Sequence, residues 1–219
     1  MACFRRFELL IACAAIGCGQ DSSVDAVPAR PQVTSVGSSE TESTPGNENL
    51  TGEEIRGGGQ VDPFSNPEVK AVALIFVSTD CPIANRYAPT IQELYARYRS
   101  KPVGFWLVFA DPSESREMIE DHLAAFKHEA PALRDPEHHL VAFCGATKTP
   151  EAVVFAPGRK LAYRGRIDDL FTDFGKSRQQ PTRHDLRDAI DAVLEDRAVD
   201  PAKSPAIGCD IPGADRRDQ

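Results

Sequence analysis

Residues 69–77, VKAVALIFV, form an apolar run with the length and the β-branched and aromatic content of a strand buried on both faces. The run stops at Ser78-Thr79-Asp80-Cys81-Pro82, and the following stretch, IANRYAPTIQELYARY, has the composition of a helix, with Pro89 placed to kink it. Proline suits a first helical position because its missing N–H would have had no partner there, so Cys81 is predicted as the helix N-cap. The free N–H groups of Ile83 and Ala84 and the positive end of the helix dipole favour a thiolate at that position. Such a setting lowers a cysteine pKa from about 8.5 into the range of roughly 3.5 to 7.5, which makes the sulfur a nucleophile at neutral pH. Strand-to-helix junctions of this kind lie in the crevice where open α/β sheets bind ligands, so Cys81 is expected at a solvent-open mouth of the sheet. A small buried hydrophobe is the other reading of a free cysteine.

The rest of the chain supplies the partners of this unit. VGFWLVFA at 103–110 reads as a second buried strand, and Asp111-Pro112-Ser113-Glu114 as the N-cap, first-turn proline and capping-box acid of a helix reaching about residue 129. A short helix over 136–144 is closed by Gly145. EAVVFA (151–156) and KLAYRG (160–165) are two strands joined through Pro157-Gly158, and after a polar insertion a last helix runs from about 183 to 196. The order β-α-β-α-β-β-α gives an α/β domain with a four-stranded mixed sheet flanked by helices on both faces.

With 219 residues the chain holds one domain of ordinary size and more besides. Residues 1–18 carry Arg5 and Arg6, an apolar stretch and Gly17-Cys18, the pattern of an export signal too short to span a membrane. Residues 19–60 contain no aromatic residue and are dense in Ser, Thr, Gly, Pro and Glu, which predicts a disordered acidic linker. Seven acids against Arg30 and Arg56 give that segment a net charge of −5, out of −8 for the whole chain. The predicted domain, residues 61–200, is therefore nearly balanced and has no basic stripe, which argues against nucleic acid as a partner. A tail, residues 201–219, follows it.

Three of the six cysteines lie in the export region, leaving Cys81, Cys144 and Cys209. Strand direction brings Thr149, Pro150, Arg164, Arg166, Asp168 and Asp169 to the edge of the sheet that carries Cys81. Twelve steps separate Arg197 from Cys209, and an extended chain at about 3.3 Å per residue spans up to roughly 40 Å, so the tail can return to that edge. Cys209 is thus a candidate resolving partner of Cys81, a free structural thiol being the alternative. Cys144, inside the apolar phrase LVAFC, reads as packing and is the other possible partner. Of the two alternating arginines, Arg166 is the one expected to face the site and steady a thiolate, or else to pair with Asp168 or Asp169. His122 and His128 are expected on different faces of their helix. No cofactor or metal is implied.

FVSTDCPIAN resembles the active-site turn of thioredoxin-like proteins, and Thr149-Pro150 before EAVVF resembles the cis-proline that faces this turn in the same fold. The likeness spans residues 61–212. STDCPIANRYAPTIQ, ADP at 110–112, PALRDPEH, TPEA, YRGRIDD and a late AIGCDI resemble, more narrowly, redoxin-domain proteins of the alkyl hydroperoxide reductase and thiol-specific antioxidant group. Ala15-Ile16-Gly17-Cys18 resembles the lipobox of bacterial lipoproteins, with Cys18 as the acylated residue; Leu10-Ile11-Ala12-Cys13 resembles it too. These resemblances imply a thioredoxin-like fold, a nucleophilic Cys81 and a Pro150 that presents backbone to a thiol- or disulfide-bearing protein substrate. They also imply attachment to the periplasmic face of a bacterial membrane through an N-terminal lipid. A peroxiredoxin-like peroxidase acting on small peroxides, or a non-catalytic copper- or partner-binding module, are the alternatives. Three positions depart from the patterns: Ala84 stands where thioredoxins carry their second cysteine, Leu74 where peroxiredoxins carry a proline, and Asn85 where Sco-type copper chaperones complete CxxxC.

Overall fold

A computed structural model describes residues 50–214, all within the unit Pro45–Gln219. The stretch read as an export signal, Cys18 as the expected acylation site, and the expected linker up to residue 49 lie outside the described residues. The elements in chain order are β1 (Gly52–Glu54), β2 (Gln60–Val61), β3 (Ala71–Val77), α1 (Pro82–Arg86), α2 (Ala88–Tyr98), β4 (Val103–Phe109), α3 (Arg116–Ala125) and β5 (Ala132–Arg134). Then come α4 (His139–Cys144), β6 (Lys148–Thr149), β7 (Glu151–Ala156), β8 (Lys160–Gly165), β9 (Phe171–Asp173), β10 (Lys176–Ser177), α5 (Asp185–Leu194) and β11 (Cys209–Asp210).

The fold is thioredoxin-like, as the element order predicted. Its four core strands lie in the order β4-β3-β7-β8, with β3 and β4 parallel and β7 antiparallel to both β3 and β8. All seven residues of β3 are buried, because both faces of the sheet are covered. Ala71, Ala73, Ile75 and Val77 face the layer built by Ile83, Tyr87, Ile91, Leu94, Ile119, Leu186 and Ile190. Val72, Leu74 and Phe76 face the opposite layer, which holds Leu140, Val141, Cys144 and Ile211. Each fully buried aliphatic or aromatic side chain of this kind contributes about 1.5–3 kcal/mol. The alternation pins the register of β3, since a one-residue slip would exchange its two faces.

The sheet has seven strands rather than four. Beyond β4 it continues through β5, β1 and β2. The expected linker boundary at residue 60 is therefore corrected: Leu50 and Ile55 are buried, and β1 and β2 turn tightly through Gly58 and Gly59, both at positive φ. Two apolar side chains in a polar stretch suffice because β5 offers β1 an unpaired edge. The polar insertion likewise contains the β9–β10 hairpin.

Helix α3 begins later than predicted. Its N-cap is Ser115, whose hydroxyl accepts the Met118 N–H, while Asp111 closes a turn by accepting the Ser113 N–H. Shortening the helix to Ala125 frees His128 to fold back, so His122 and His128 stack with ring centroids 6.0 Å apart instead of diverging. The tail returns across the sheet. Arg164 N–H donates to Ala202 O and Ser204 N–H to Arg164 O, after which β11 pairs antiparallel with β6 in the register Cys209 to Thr149 and Asp210 to Lys148.

Candidate active site

Parallel β3 and β4 and antiparallel β7 bring the end of β3, the loop after β4 and the start of β7 to one edge of the sheet. Cys81 sits there as the N-cap of α1, in extended conformation (φ −80°, ψ 108°), with Pro82 at the first helical position. The Ala84 N–H donates to its Sγ at 3.5 Å. The helix breaks at Tyr87, one turn on, and resumes as α2 with Pro89 in its first turn, the kink that this proline predicted. The turn before Cys81 is fastened from the loop after β4. Glu114 Oε1 accepts the Thr79 N–H at 2.6 Å and the Ser78 hydroxyl at 3.0 Å, and Asn85 Nδ2 donates to Thr79 O at 3.0 Å. Glu114 is only 2% exposed, and burial raises its pKa. Sequence reasoning gave this residue to the helix cap and so missed its service to the Cys81 turn; a carboxylate three residues into an Asx-type turn carries no signal that separates the two.

Thr149-Pro150 is a cis peptide, as the resemblance implied, and it faces Cys81. The Cys81 thiol donates to the Thr149 carbonyl at 2.9 Å. The Thr149 hydroxyl is buried without a hydrogen-bond partner among the described residues, which leaves it free to donate to the sulfur once the thiol proton is gone.

Cys209 comes to this point on β11. It pairs with Thr149, whose carbonyl accepts the Cys81 thiol, and packs against the buried layer that holds Cys81. Burial pushes the Cys81 pKa up, but hydrogen bonds from Ala84 and from Cys209 outweigh burial and hold the thiol below its ordinary value. The Cys209 thiol moves the other way, pushed up to about 11 by burial, by its hydrogen bond to Cys81 and by the Cys81 charge. One sulfur is thus prepared to ionise while its neighbour keeps a proton to donate. Cys144 is buried between α4 and the sheet, and burial raises its pKa strongly, in keeping with the packing reading.

Two expectations require correction. Cys81 is 2% exposed rather than open to solvent, because the returning tail lies over it. Arg166 does not serve the sulfur: its guanidinium is taken by Asp185 at 2.9 Å, where the start of α5 presents a buried carboxylate, and neither Asp168 nor Asp169 is its salt-bridge partner. Asp168 instead accepts the Tyr87 hydroxyl at 2.7 Å, and Asp169 accepts the Thr182 and Arg183 N–H groups. Arg164 turns away to the carbonyls of Cys144 and Gly145. A cavity of about 630 Å³ bordered by Leu94, Asp168 and His184 lies along α2, and Cys81 does not line it. Among the described residues no group of three or more His, Cys, Asp or Glu side chains could hold a metal ion, and no helix is long and apolar enough to cross a membrane.

A β-α-β start, an N-capping cysteine and a cis-proline facing it define a thioredoxin-like domain. The comparisons agree. A family model described as thioredoxin-like matches residues 68–161, which include Cys81 and Pro150. The chain is similar in structure to an uncharacterized conserved protein from Geobacillus kaustophilus (TM-score 0.66, 24% identity, covering 74% of this chain and 87% of that one). It is also similar to a hypothetical protein from Sinorhizobium meliloti 1021 (TM-score 0.64, 25% identity, 74% of this chain and 88% of that one). A secreted disulfide oxidoreductase from Mycobacterium tuberculosis matches at TM-score 0.46 and 16% identity, over 68% of this chain and 96% of that one, too distant to bear on this chain's chemistry. No curated protein matches the chain significantly.

Proposed function

We propose that this chain is a thiol-disulfide oxidoreductase in which Cys81 attacks and Cys209 resolves. The observation that carries this reading is the pair itself: two thiols brought to the Thr149-Pro150 peptide, Cys81 donating to the Thr149 carbonyl and Cys209 paired with Thr149 on β11, one with a lowered and one with a raised pKa. The Cys81 thiolate attacks one sulfur of a polypeptide disulfide; a Cys81–substrate disulfide forms, and the other substrate sulfur leaves as a thiolate and takes a proton. Forming that bond removes the charge on Cys81 that holds the Cys209 pKa high, so Cys209 ionises more readily at this stage. Its thiolate then attacks Cys81 Sγ and expels the second substrate thiolate. The substrate gains two electrons and two protons, and a Cys81–Cys209 disulfide remains, to be reduced by an external dithiol.

The missing second cysteine of the turn, Ala84, is on this reading replaced in function by a cysteine carried on the tail. The motif resemblance to redoxin-domain proteins of the alkyl hydroperoxide reductase and thiol-specific antioxidant group supports the same chemistry class. The export-type segment and its Cys18 support action outside the cytoplasm from a lipid anchor, and transfer of Cys18→Ser protein from the membrane to the soluble fraction is the test of that anchor. For the chemistry, the wild type, Cys81→Ser and Cys209→Ser are incubated reduced with insulin. Cys209→Ser is expected to accumulate a Cys81–insulin mixed disulfide, and Cys81→Ser to lose turnover. Equal turnover by wild type and Cys81→Ser overturns the assignment. Hydrogen peroxide consumption measured in parallel, and faster than insulin reduction, would replace it with the peroxidase reading.

A further inference from the structure

The pairing of β11 with β6 has two sides: it delivers Cys209, and it occupies the backbone edge beside the nucleophile. We propose that the Lys148–Thr149 edge is a strand-docking surface whose resident occupant is the chain's own tail, and that residues 207–211 form a strap that must leave before an extended substrate strand can reach Cys81. This rests on the oxidoreductase reading.

Three observations carry it. First, the strap lies directly on the ledge: a Cβ on Gly208 would stand 2.1 Å from Thr149 O and 2.6 Å from Thr149 C, so a residue without a side chain is required where the tail crosses the Thr149-Pro150 peptide. Second, with the strap in place Cys81 is 2% exposed, and a sulfur so enclosed has no line of approach for an external disulfide. Third, the strap is held at its ends. Upstream, Ser204 is fastened by Arg164 and by the Tyr163 hydroxyl at 2.7 Å; downstream, Ile211 N–H donates to Thr147 O at 3.0 Å and its side chain enters the apolar layer with Leu74 and Leu140. Between them Pro205 is exposed and Ala206 and Ile207 are half-buried, and the ladder itself has two residues. The Lys148–Asp210 ion pair adds little, because the Asp210 side chain is 70% exposed. A short strand on an edge already shaped for backbone pairing is one that another strand of the same kind can replace. After the mixed disulfide has formed, return of the strap brings Cys209 onto Cys81 and displaces the substrate strand in the same movement.

The test reads Cys81 accessibility in the reduced full chain. Alkylation of the Cys81 peptide is followed by mass spectrometry with iodoacetamide and with a polyethylene-glycol maleimide, and the ratio of the two rates removes the effect of thiol pKa. Wild type and Cys209→Ala, which keep Gly208 and Ile211, are expected to exclude the bulky reagent at least about tenfold more strongly than Gly208→Val and Ile211→Asp. The same ratio in all four chains overturns the strap. Hydrogen exchange on the wild type gives a measurement that needs no variant: the Ile211 amide is expected to exchange well before the β3 amides, and exchange of Ile211 only with global unfolding overturns the proposal. Neither readout requires turnover, so a failed strap leaves the Cys81–Cys209 pair standing, and a failed redox pair leaves these accessibilities as they are.

Discussion

Cys81 and Cys209 have the same side chain and opposite tendencies. Cys81 receives the Ala84 N–H at the start of α1 and donors from Cys209, while Cys209 faces a neighbouring sulfur that ionises first. Removing one thiol therefore changes the other. Cys209→Ala deletes a donor to Cys81, and the Cys81 pKa, measured from the pH dependence of iodoacetamide alkylation, is expected to rise; a fall would show that Cys209 acts on Cys81 mainly through burial. At this scale the sequence was legible where a residue's role depends on its immediate neighbours. Cys81 before Pro82 and Gly145 after Cys144 occupy the positions their local chemistry requires. It was not legible where the role depends on a distant partner. Arg166 alternates onto the right edge but meets the Asp185 carboxylate first, and Glu114 looks like a capping acid until β3 and β4 bring it to Thr79.

The elements show the same division. Long apolar runs declare themselves, and β3, β4, β7, β8 and α5 fall where the pattern placed them, within a few residues. Strands β1, β2 and β5 have three residues or fewer and no periodicity to read; they exist because the exposed edge of β4 invites pairing. For α3 the sequence pattern pointed to Asp111 as the N-cap, and the observed bond places the cap four residues on, at Ser115. Ser115→Ala is accordingly expected to lower stability by about 1 kcal/mol in urea unfolding, by loss of the cap. Asp111→Ala, which opens a turn outside the helix, should leave the α3 amides as protected from hydrogen exchange as before. Loss of their protection in Asp111→Ala alone would return the cap to Asp111.

For the whole molecule, the buried aromatic corner around His122, Phe126 and His128 links stability to pH. His128 is 6% exposed, and burial, followed by the nearby His122 and Arg56, lowers its pKa to about 4. An unfolded histidine titrates near 6.5, so between about 6.5 and 4 the unfolded chain binds more protons than the folded one. Stability from this group is intact above 6.5 and is lost as pH falls toward 4, by about 3 kcal/mol in all. Urea unfolding of wild type and His128→Gln over this window should show the acid-side decline reduced in the variant; parallel declines would remove His128 as its source.

The account as a whole turns on a cysteine of the first helix and a cysteine of the tail acting as one redox pair. The direct measurement equilibrates the full chain in glutathione buffers of stepped ratio, quenches with acid, alkylates, and maps the non-reduced peptides. The predicted result is a single two-electron transition in which a peptide pair joined through Cys81 and Cys209 appears as both free thiols disappear, with Cys144 reduced throughout. A Cys81 that ends every titration bound only to glutathione, or linked to Cys144, would contradict it.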